Sequence, residues 1–177
     1  MTIFCRVSNT SFAWSLTLTF SQIFIILPFL SIKKVVLLIP INSRPINFFL
    51  PQTLYFYPKD DTPGCTIETN DFNKLLSKFK RLDCEVYGLS KDSLKSHDKF
   101  RDKYKIKFDL LSDEEIKVLK KYKVWGKKKF MGREFMGIIR STYLIDKKGK
   151  ILKVWDNVKV KDHAKEVLET LKRIVKK

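Results

Sequence analysis

The segment between residues 54 and 82 constrains the fold most, because it places a strand, a sharp turn and a helix in immediate succession. Residues 54–57 are a short run of aromatic and apolar side chains typical of a buried strand, and Pro58 ends it. The following Asp-Asp-Thr-Pro-Gly cluster favours a turn. The apolar residues after Cys65 recur at helical spacing, at Phe72, Leu75, Leu76, Phe79 and Leu82. The pattern predicts that Cys65 lies in the first turn of this helix.

A cysteine in the first turn of a helix is in a chemically favourable place. The backbone N–H groups there have no partner within the helix, and the helix dipole adds positive potential. Both effects favour the thiolate, which is the nucleophilic form of the side chain. The hydroxyl of Thr62 can bind a small oxygen ligand, and Pro63 stiffens the loop and limits water access. The alternative is an inert cysteine that only packs at the helix start, but such a residue would not need these neighbours.

The motif Pro58-x-x-x-Thr62-x-x-Cys65 resembles the active-site motif of the peroxiredoxins. The longer segment YFYPKDDTPGCT, at residues 55–66, is similar to the corresponding segment of the bacterioferritin comigratory protein branch of that family, also called peroxiredoxin Q. Four further segments resemble the same branch, at residues 90–100, 108–113, 137–146 and 153–155. The resemblance extends from about residue 54 to the C-terminus, so residues 54–177 are expected to form one peroxiredoxin-like domain.

The resemblance implies a catalytic role for four residues. Cys65 matches the peroxidatic cysteine, Thr62 the threonine that binds the peroxide, and Pro63 the proline that shields the sulfur. Arg140 matches the arginine that stabilises the thiolate and polarises the peroxide. Topology supports the last match, because a strand at 139–145 that runs antiparallel to 54–57 begins beside the end of that strand. A guanidinium there can direct two donors towards the peroxide and the thiolate.

The implied function is that of a thiol-dependent peroxidase acting on hydrogen peroxide and small organic hydroperoxides. Cys65 would become a sulfenic acid, and thioredoxin or another thiol would reduce it; no cofactor and no metal are implied. One alternative is a glutathione-peroxidase-like protein, whose Gln and Trp partners are not found here. The other is a non-catalytic or damaged thioredoxin-fold protein, either free or tethered to a membrane. The protein is expected to be a cytoplasmic antioxidant enzyme and a monomer or weak dimer.

The sequence departs from many relatives in its second cysteine. A resolving cysteine often follows the peroxidatic one by five residues, where this chain has Asn70. Cys84 opens the next parallel strand, so we expect it in the core at the opposite edge of the sheet, roughly 15–20 Å from Cys65. A disulfide requires Cα atoms within about 7 Å. Cys5 is the remaining internal candidate, and an external thiol is favoured.

The fold class indicated is α/β, a thioredoxin-like, three-layer α/β/α domain with a central mixed sheet. Strands are expected at 84–89 and 108–111, helices at 93–104, 113–122 and 161–176, and a hairpin at 139–146 and 150–155. Residues 124–138 are interpreted as a loop whose aromatic side chains cover the pocket near Cys65 or pack in the core. His97 and His163 are expected to be exposed and to have no catalytic role.

Residues 1–53 form an atypical apolar segment. Residues 12–32 are mostly apolar and long enough to span a bilayer, with Lys33 and Lys34 then marking the cytoplasmic flank. A membrane anchor that leaves the catalytic domain on the cytoplasmic side is one hypothesis, and an aberrant extension is another. Three scattered cysteines fit a reducing compartment.

The charge balance gives little further information on partners. The net charge is +17, and the lysines are scattered over helix faces and turns. A solvated basic surface is the favoured interpretation; weak attraction to nucleic acid, anionic membranes or acidic partners is the alternative. No motif indicates specific nucleic-acid binding.

Overall fold

A five-stranded mixed sheet is the centre of the computed structural model, which describes residues 50–130 and 132–175. The strands in chain order are β1 (Gln52–Phe56), β2 (Glu85–Ser90), β3 (Asp109–Ser112), β4 (Trp125–Phe130), β5 (Arg133–Ile138), β6 (Ser141–Ile145) and β7 (Ile151–Trp155). The order in the large sheet is β3-β2-β1-β6-β7, and β4 and β5 form a separate hairpin. The first three strands are parallel, whereas β6 is antiparallel to both β1 and β7.

Helices cover both faces of the sheet. They are α1 (Pro63–Lys80), α2 (Leu94–Tyr104), α3 (Lys117–Lys121) and α4 (His163–Val175). The buried side chains of α1, α2 and α4 belong to one core cluster, and those of α3 belong to a second cluster on the other face. The predicted three-layer arrangement around a mixed sheet is therefore confirmed.

The central strand β1 contributes to both cores, because its side chains alternate between the two faces. Tyr55 packs in the first cluster, and Leu54 and Phe56 pack in the second. All five residues of β1 are buried, as expected for a strand covered on both faces. Gly88 in β2 makes room for this packing, since a Cβ there would lie 2.7 Å from the Tyr55 hydroxyl oxygen. The end of β1 is thus held rigidly where the chain turns towards Cys65.

The predicted helix at 113–122 is shorter than expected. It begins only at Lys117, after Ile116 adopts a left-handed conformation with φ of 53°. The Asp113 carboxylate accepts hydrogen bonds from the backbone N–H groups of Lys117 and Leu119. Residues 113–115 therefore lie before the helix, and the Asp113 side chain binds backbone N–H groups at the start of the helix.

The segment predicted to be a loop at 124–138 contains the hairpin β4–β5 instead. Its strands pair in register from Trp125↔Ile138 to Phe130↔Arg133. Phe135 and Met136 are about half exposed, so neither is a buried cover for the site. The run Lys127–Lys129 hides the alternation that marks a strand, which is why the sequence pattern did not indicate it.

Both histidines are buried, so the prediction that they are exposed is wrong. His97 is 0% exposed and bonds Asp60 and the carbonyl oxygen of Leu111. His163 is 3% exposed and forms a hydrogen bond with Thr142. Polar neighbours along each helix suggested solvent, but both rings point to the sheet and satisfy their nitrogens with buried partners.

The N-terminal predictions fall largely outside the described residues. The segment 1–53 is described only from residue 50, and the predicted membrane anchor at 12–32 is outside that range, as is Cys5. Within residues 50–130 and 132–175, none of the helices has the length and apolar character needed to cross a membrane.

Candidate active site

The start of α1 follows β1 after a loop of only six residues, so Cys65 lies near the end of the central strand. Thr62 occupies the N-cap position in an extended conformation, and Pro63 is the first helical residue. Proline suits that position because its missing N–H would have no helical partner. Cys65 follows in the first turn, which contains no acidic residue. Cys65 therefore lies at the positive end of the helix dipole, and no acidic residue of the first turn opposes that potential.

Arg140 reaches Cys65 from a distant part of the chain. Its Nη2 lies 3.3 Å from the Cys65 Sγ, which confirms the predicted proximity. The register explains the approach: Ser141, the next residue, pairs with Phe56 at the end of β1. The backbone around Arg140 is fixed, since the Val158 N–H donates to its carbonyl oxygen and the Ile139 N–H donates to the Val124 carbonyl oxygen.

Glu68 belongs to the site, although no motif in the sequence indicates it. Its Oε2 accepts a hydrogen bond from the Nη1 of Arg140, and its side chain is fully buried. Burial raises the pKa of this carboxyl to about 7, although the nearby guanidinium opposes the shift. The other oxygen, Oε1, is buried without a hydrogen-bond partner. The helical spacing could have indicated Glu68, because a residue three positions after Cys65 lies on the same side of the helix.

Lys128 adds a second cation to this region. Its ammonium donates to the carbonyl oxygen of Ile138, two residues before Arg140. Burial lowers the pKa of Lys128, the charge of Arg140 lowers it further, and Cys65 opposes both. The β4–β5 hairpin therefore places a cation at the carbonyl oxygen of Ile138, next to the segment that carries Arg140.

The two remaining predicted residues lie at the rim of the site. Thr62 is half-buried and its hydroxyl donates to the Lys59 carbonyl oxygen at 3.0 Å, while Pro63 is exposed. Cys65 itself is 1% exposed. The side chain is therefore almost completely covered by its surroundings.

Cys84 lies in a different chemical environment. It is 1% exposed, and its Sγ is 3.4 Å from the hydroxyl of Thr53 at the beginning of β1, whereas Cys65 follows the end of β1. Burial raises the pKa of the Cys84 thiol to about 12. The prediction that Cys84 is a core residue is confirmed, and both described cysteines are free thiols.

Metal chemistry has no evident ligands in the part of the chain that the structure describes. Among residues 50–130 and 132–175, no three His, Cys, Asp or Glu side chains are grouped as a metal ion would require.

The fold and this site define a class of protein, the thiol-dependent peroxidases built on a thioredoxin-like sheet. The comparisons agree: residues 51–154 match the model of the AhpC/TSA family. Peroxiredoxin Bcp of Bacillus subtilis is 51% identical over 124 residues, which are 70% of this chain and 79% of that protein. Peroxiredoxin Bcp of Escherichia coli is 40% identical over 119 residues, or 67% of this chain and 76% of the relative.

A solved structure extends the agreement to three dimensions. The bacterioferritin comigratory protein of Xanthomonas campestris matches with a TM-score of 0.69 and 40% identity, over 72% of this chain and 81% of its own. The chain therefore belongs to the AhpC/TSA family, in the peroxiredoxin branch known as Bcp or peroxiredoxin Q. It is a peroxiredoxin, an enzyme that reduces hydroperoxides with electrons from a thiol, and nothing in the comparisons supports a non-catalytic alternative.

Proposed function

We propose that Cys65 is the peroxidatic cysteine of this enzyme, with Arg140, Thr62 and Pro63 as its catalytic partners. The observation that carries the proposal is the 3.3 Å contact between the Arg140 Nη2 and the Cys65 Sγ. A guanidinium at this distance stabilises a thiolate, and the positive end of α1 acts in the same direction. The sulfur is then ready to attack as an anion.

The reaction is an in-line displacement. The thiolate attacks the distal oxygen of a hydroperoxide, the S–O bond forms as the O–O bond breaks, and water or an alcohol leaves after taking up a proton. Arg140 and the N–H groups of Gly64 and Cys65 stabilise the charge on the two oxygens, and the Thr62 hydroxyl joins them when its hydrogen turns from the Lys59 carbonyl oxygen to the peroxide. Pro63 limits water at the rim. Cys65 ends as a sulfenic acid, the reversible first oxidation state.

Recycling uses an external thiol, for which thioredoxin is the proposed protein reductant. The thiol attacks the sulfenic acid sulfur, releases water and leaves a mixed disulfide, which a second thiol reduces. Two features support this route: Asn70 stands where a resolving cysteine is often found, and Cys84 is buried beside Thr53 with a raised thiol pKa of about 12. Cys5 is the internal alternative.

Small hydroperoxides are the proposed substrates, namely hydrogen peroxide and short alkyl hydroperoxides. The nearly complete cover over Cys65 favours slender molecules. The Xanthomonas campestris relative is described as having alkyl peroxide reduction activity. The proposed setting is a reducing, cytoplasmic compartment, and the enzyme is a monomer or weak dimer whose catalytic domain is residues 54–177. The alternative is that residues 12–32 anchor the protein in a membrane, with the catalytic domain on the cytoplasmic side.

Intact-mass analysis after one equivalent of hydrogen peroxide tests the cysteine chemistry. The expected product is a monomer that gains one oxygen, and Cys65→Ser should remain unmodified. Loss of two hydrogens would instead reveal an internal disulfide and overturn the external-thiol route. Addition of thioredoxin, its reductase and NADPH should then give continuous peroxide consumption.

A further inference from the structure

The loop between β1 and α1 makes hydrogen bonds to α2 through two consecutive aspartates whose side chains point in opposite directions. Asp61 is exposed, has φ of 54°, and its carboxylate accepts hydrogen bonds from Lys103 and Tyr104. Asp60 is 7% exposed and points inward. Solvent screens the exposed contacts of Asp61, so they contribute little to the position of the loop. The inner contacts of Asp60, five residues before Cys65, are the ones that hold it.

The inner attachment is a dense network around the Asp60 carboxylate. The Tyr57 hydroxyl donates to Oδ1 at 2.7 Å, the Ser96 hydroxyl donates to Oδ2 at 2.7 Å, and His97 Nδ1 lies 2.9 Å from Oδ2. The Asp60 N–H in turn donates to the Asp92 carboxylate at 2.9 Å. These contacts bind one residue of the loop to the end of β1 and to α2.

His97 extends the network to the sheet. Its Nε2 lies 3.2 Å from the carbonyl oxygen of Leu111 in β3, and its ring is 0% exposed. A carbonyl oxygen only accepts, so Nε2 carries a hydrogen, while Nδ1 lies against the Asp60 carboxylate. The ring is thus held through both of its nitrogens, by β3 on one side and by the loop on the other.

Asp60 and His97 take no part in the proposed reaction, but their position affects the residues that do. Buried polar groups are costly unless their partners hold them in one arrangement. The arrangement here fixes Asp60, which is two residues before the N-cap Thr62. Since Thr62 and the first-turn N–H groups face the bound peroxide in the proposed mechanism, a shift of the loop displaces them together.

We propose that Asp60 and His97 are a positioning pair for the peroxide reaction, holding residues 58–62 so that Thr62 and the first turn of α1 are aligned with the oxygen atoms of the peroxide. This inference rests on the proposed role of Cys65. The pair does not touch the peroxide; it acts through the backbone that it fastens.

Two reactions of the same sulfur separate positioning from folding. Alkylation by iodoacetamide needs only a thiolate, which Arg140 and the helix dipole stabilise. Reaction with hydrogen peroxide also needs the aligned donors, and misplacement of such groups by about 1 Å can cost about 100-fold in rate. The ratio of the peroxide rate constant to the alkylation rate constant therefore measures how well the donors are aligned in the folded protein.

The experiment compares Asp60→Asn and His97→Phe with Asp61→Asn as the matched control. Asparagine offers one acceptor oxygen where Asp60 serves three side chains, so we expect the peroxide rate constant to fall about tenfold or more while alkylation changes less than about twofold. His97→Phe should give the same split. Asp61→Asn removes a charge from the same loop, tolerates the left-handed backbone, and should leave both rate constants within about twofold of the wild type.

The double variant Asp60→Asn/His97→Phe tests whether the residues act as one unit. It should lose no more than the worse single variant. The inference is overturned if the variants unfold at a lower temperature but keep the wild-type rate ratio, or if Asp61→Asn lowers the ratio equally. Should His97→Phe fail to fold, Ser96→Ala removes a single donor to Asp60 and must still lower the ratio.

Failure of this inference is distinguishable from failure of the proposed function. If Cys65→Ser still consumes peroxide at the wild-type rate, the assignment of the sulfur is wrong and the ratio loses its meaning. If Cys65→Ser is inactive while the Asp60 and His97 variants match the wild type, only the positioning pair is refuted.

Discussion

The carboxylate of Glu68 and the guanidinium of Arg140 form a buried ion pair beside the sulfur of Cys65. One terminal nitrogen of the arginine binds Glu68 and the other lies 3.3 Å from the sulfur. The planar guanidinium can make both contacts at once, which an ammonium could not do in the same geometry. Glu68 therefore fixes the direction in which Arg140 presents its second nitrogen.

The two described cysteines should differ completely in function. Cys65→Ser should abolish peroxide consumption, because it removes the proposed nucleophile. Cys84→Ser should keep most of the activity, and the Cys84 thiol should resist alkylation at neutral pH because burial raises its pKa to about 12. Peroxide assays together with peptide mapping of alkylated cysteines measure both effects. Equal losses in the two variants would contradict this division of roles.

Replacement of Arg140 should slow both reactions of the sulfur. We expect Arg140→Ala to lower the peroxide rate constant by about 100-fold, since a donor to developing negative charge is lost. Alkylation at neutral pH should slow as well, because the thiolate loses its nearest cation. Arg140→Lys should recover only part of either rate. Arg133→Ala, at an exposed arginine of the β4–β5 hairpin, is the control; an equal effect there would point to general surface charge.

Glu68 should make the stability of the enzyme depend on pH. Its pKa in the folded protein is about 7, above the unfolded value of about 4.3. The folded protein therefore holds a proton that the unfolded chain releases, and this contribution is complete below about pH 4.3 and lost as pH rises through 7. The difference between the two pKa values corresponds to a free energy of about 4 kcal/mol.

The variant Glu68→Gln isolates that contribution. Urea unfolding of wild type and variant at pH 5 and pH 8 should show the wild type losing stability relative to the variant at the higher pH. The peroxide rate of the wild type should also show an ionisation near pH 7 that the variant lacks, because protonation of Glu68 weakens its interaction with Arg140. Parallel pH dependence in the two proteins would refute the shifted carboxyl.

His163 should remain neutral throughout the physiological range. Burial lowers the pKa of its imidazole to about 4, below the unfolded value of about 6.5. Its contribution to stability is therefore present above pH 6.5 and is lost as pH falls through 4. Proton NMR of the ring should show no titration of His163 between pH 5.5 and 8. A midpoint near 6.5 would mean that the ring is solvated in solution.

Local sequence patterns determined the part of the site that is local in the chain. A strand, a Pro-rich turn and a change to helical spacing were enough to predict that Cys65 begins a helix, because strand and helix periods are set by neighbouring residues. The antiparallel strand that brings Arg140 to the sulfur followed from chain topology and from the family resemblance. The hairpin β4–β5 is not predicted from the sequence, because three consecutive lysines obscure the alternation of apolar and polar residues in β4.

Only the tertiary structure decided which polar side chains become buried partners. Glu68, His97 and His163 have unremarkable sequence neighbours, and their burial depends on segments about 20 to 70 residues away that supply Arg140, Asp60 and Thr142. A polar side chain enters the interior only where such partners satisfy it. The chain thus specifies the position of Cys65, the proposed nucleophile, through local order, whereas the side chains around its sulfur meet only in the folded protein.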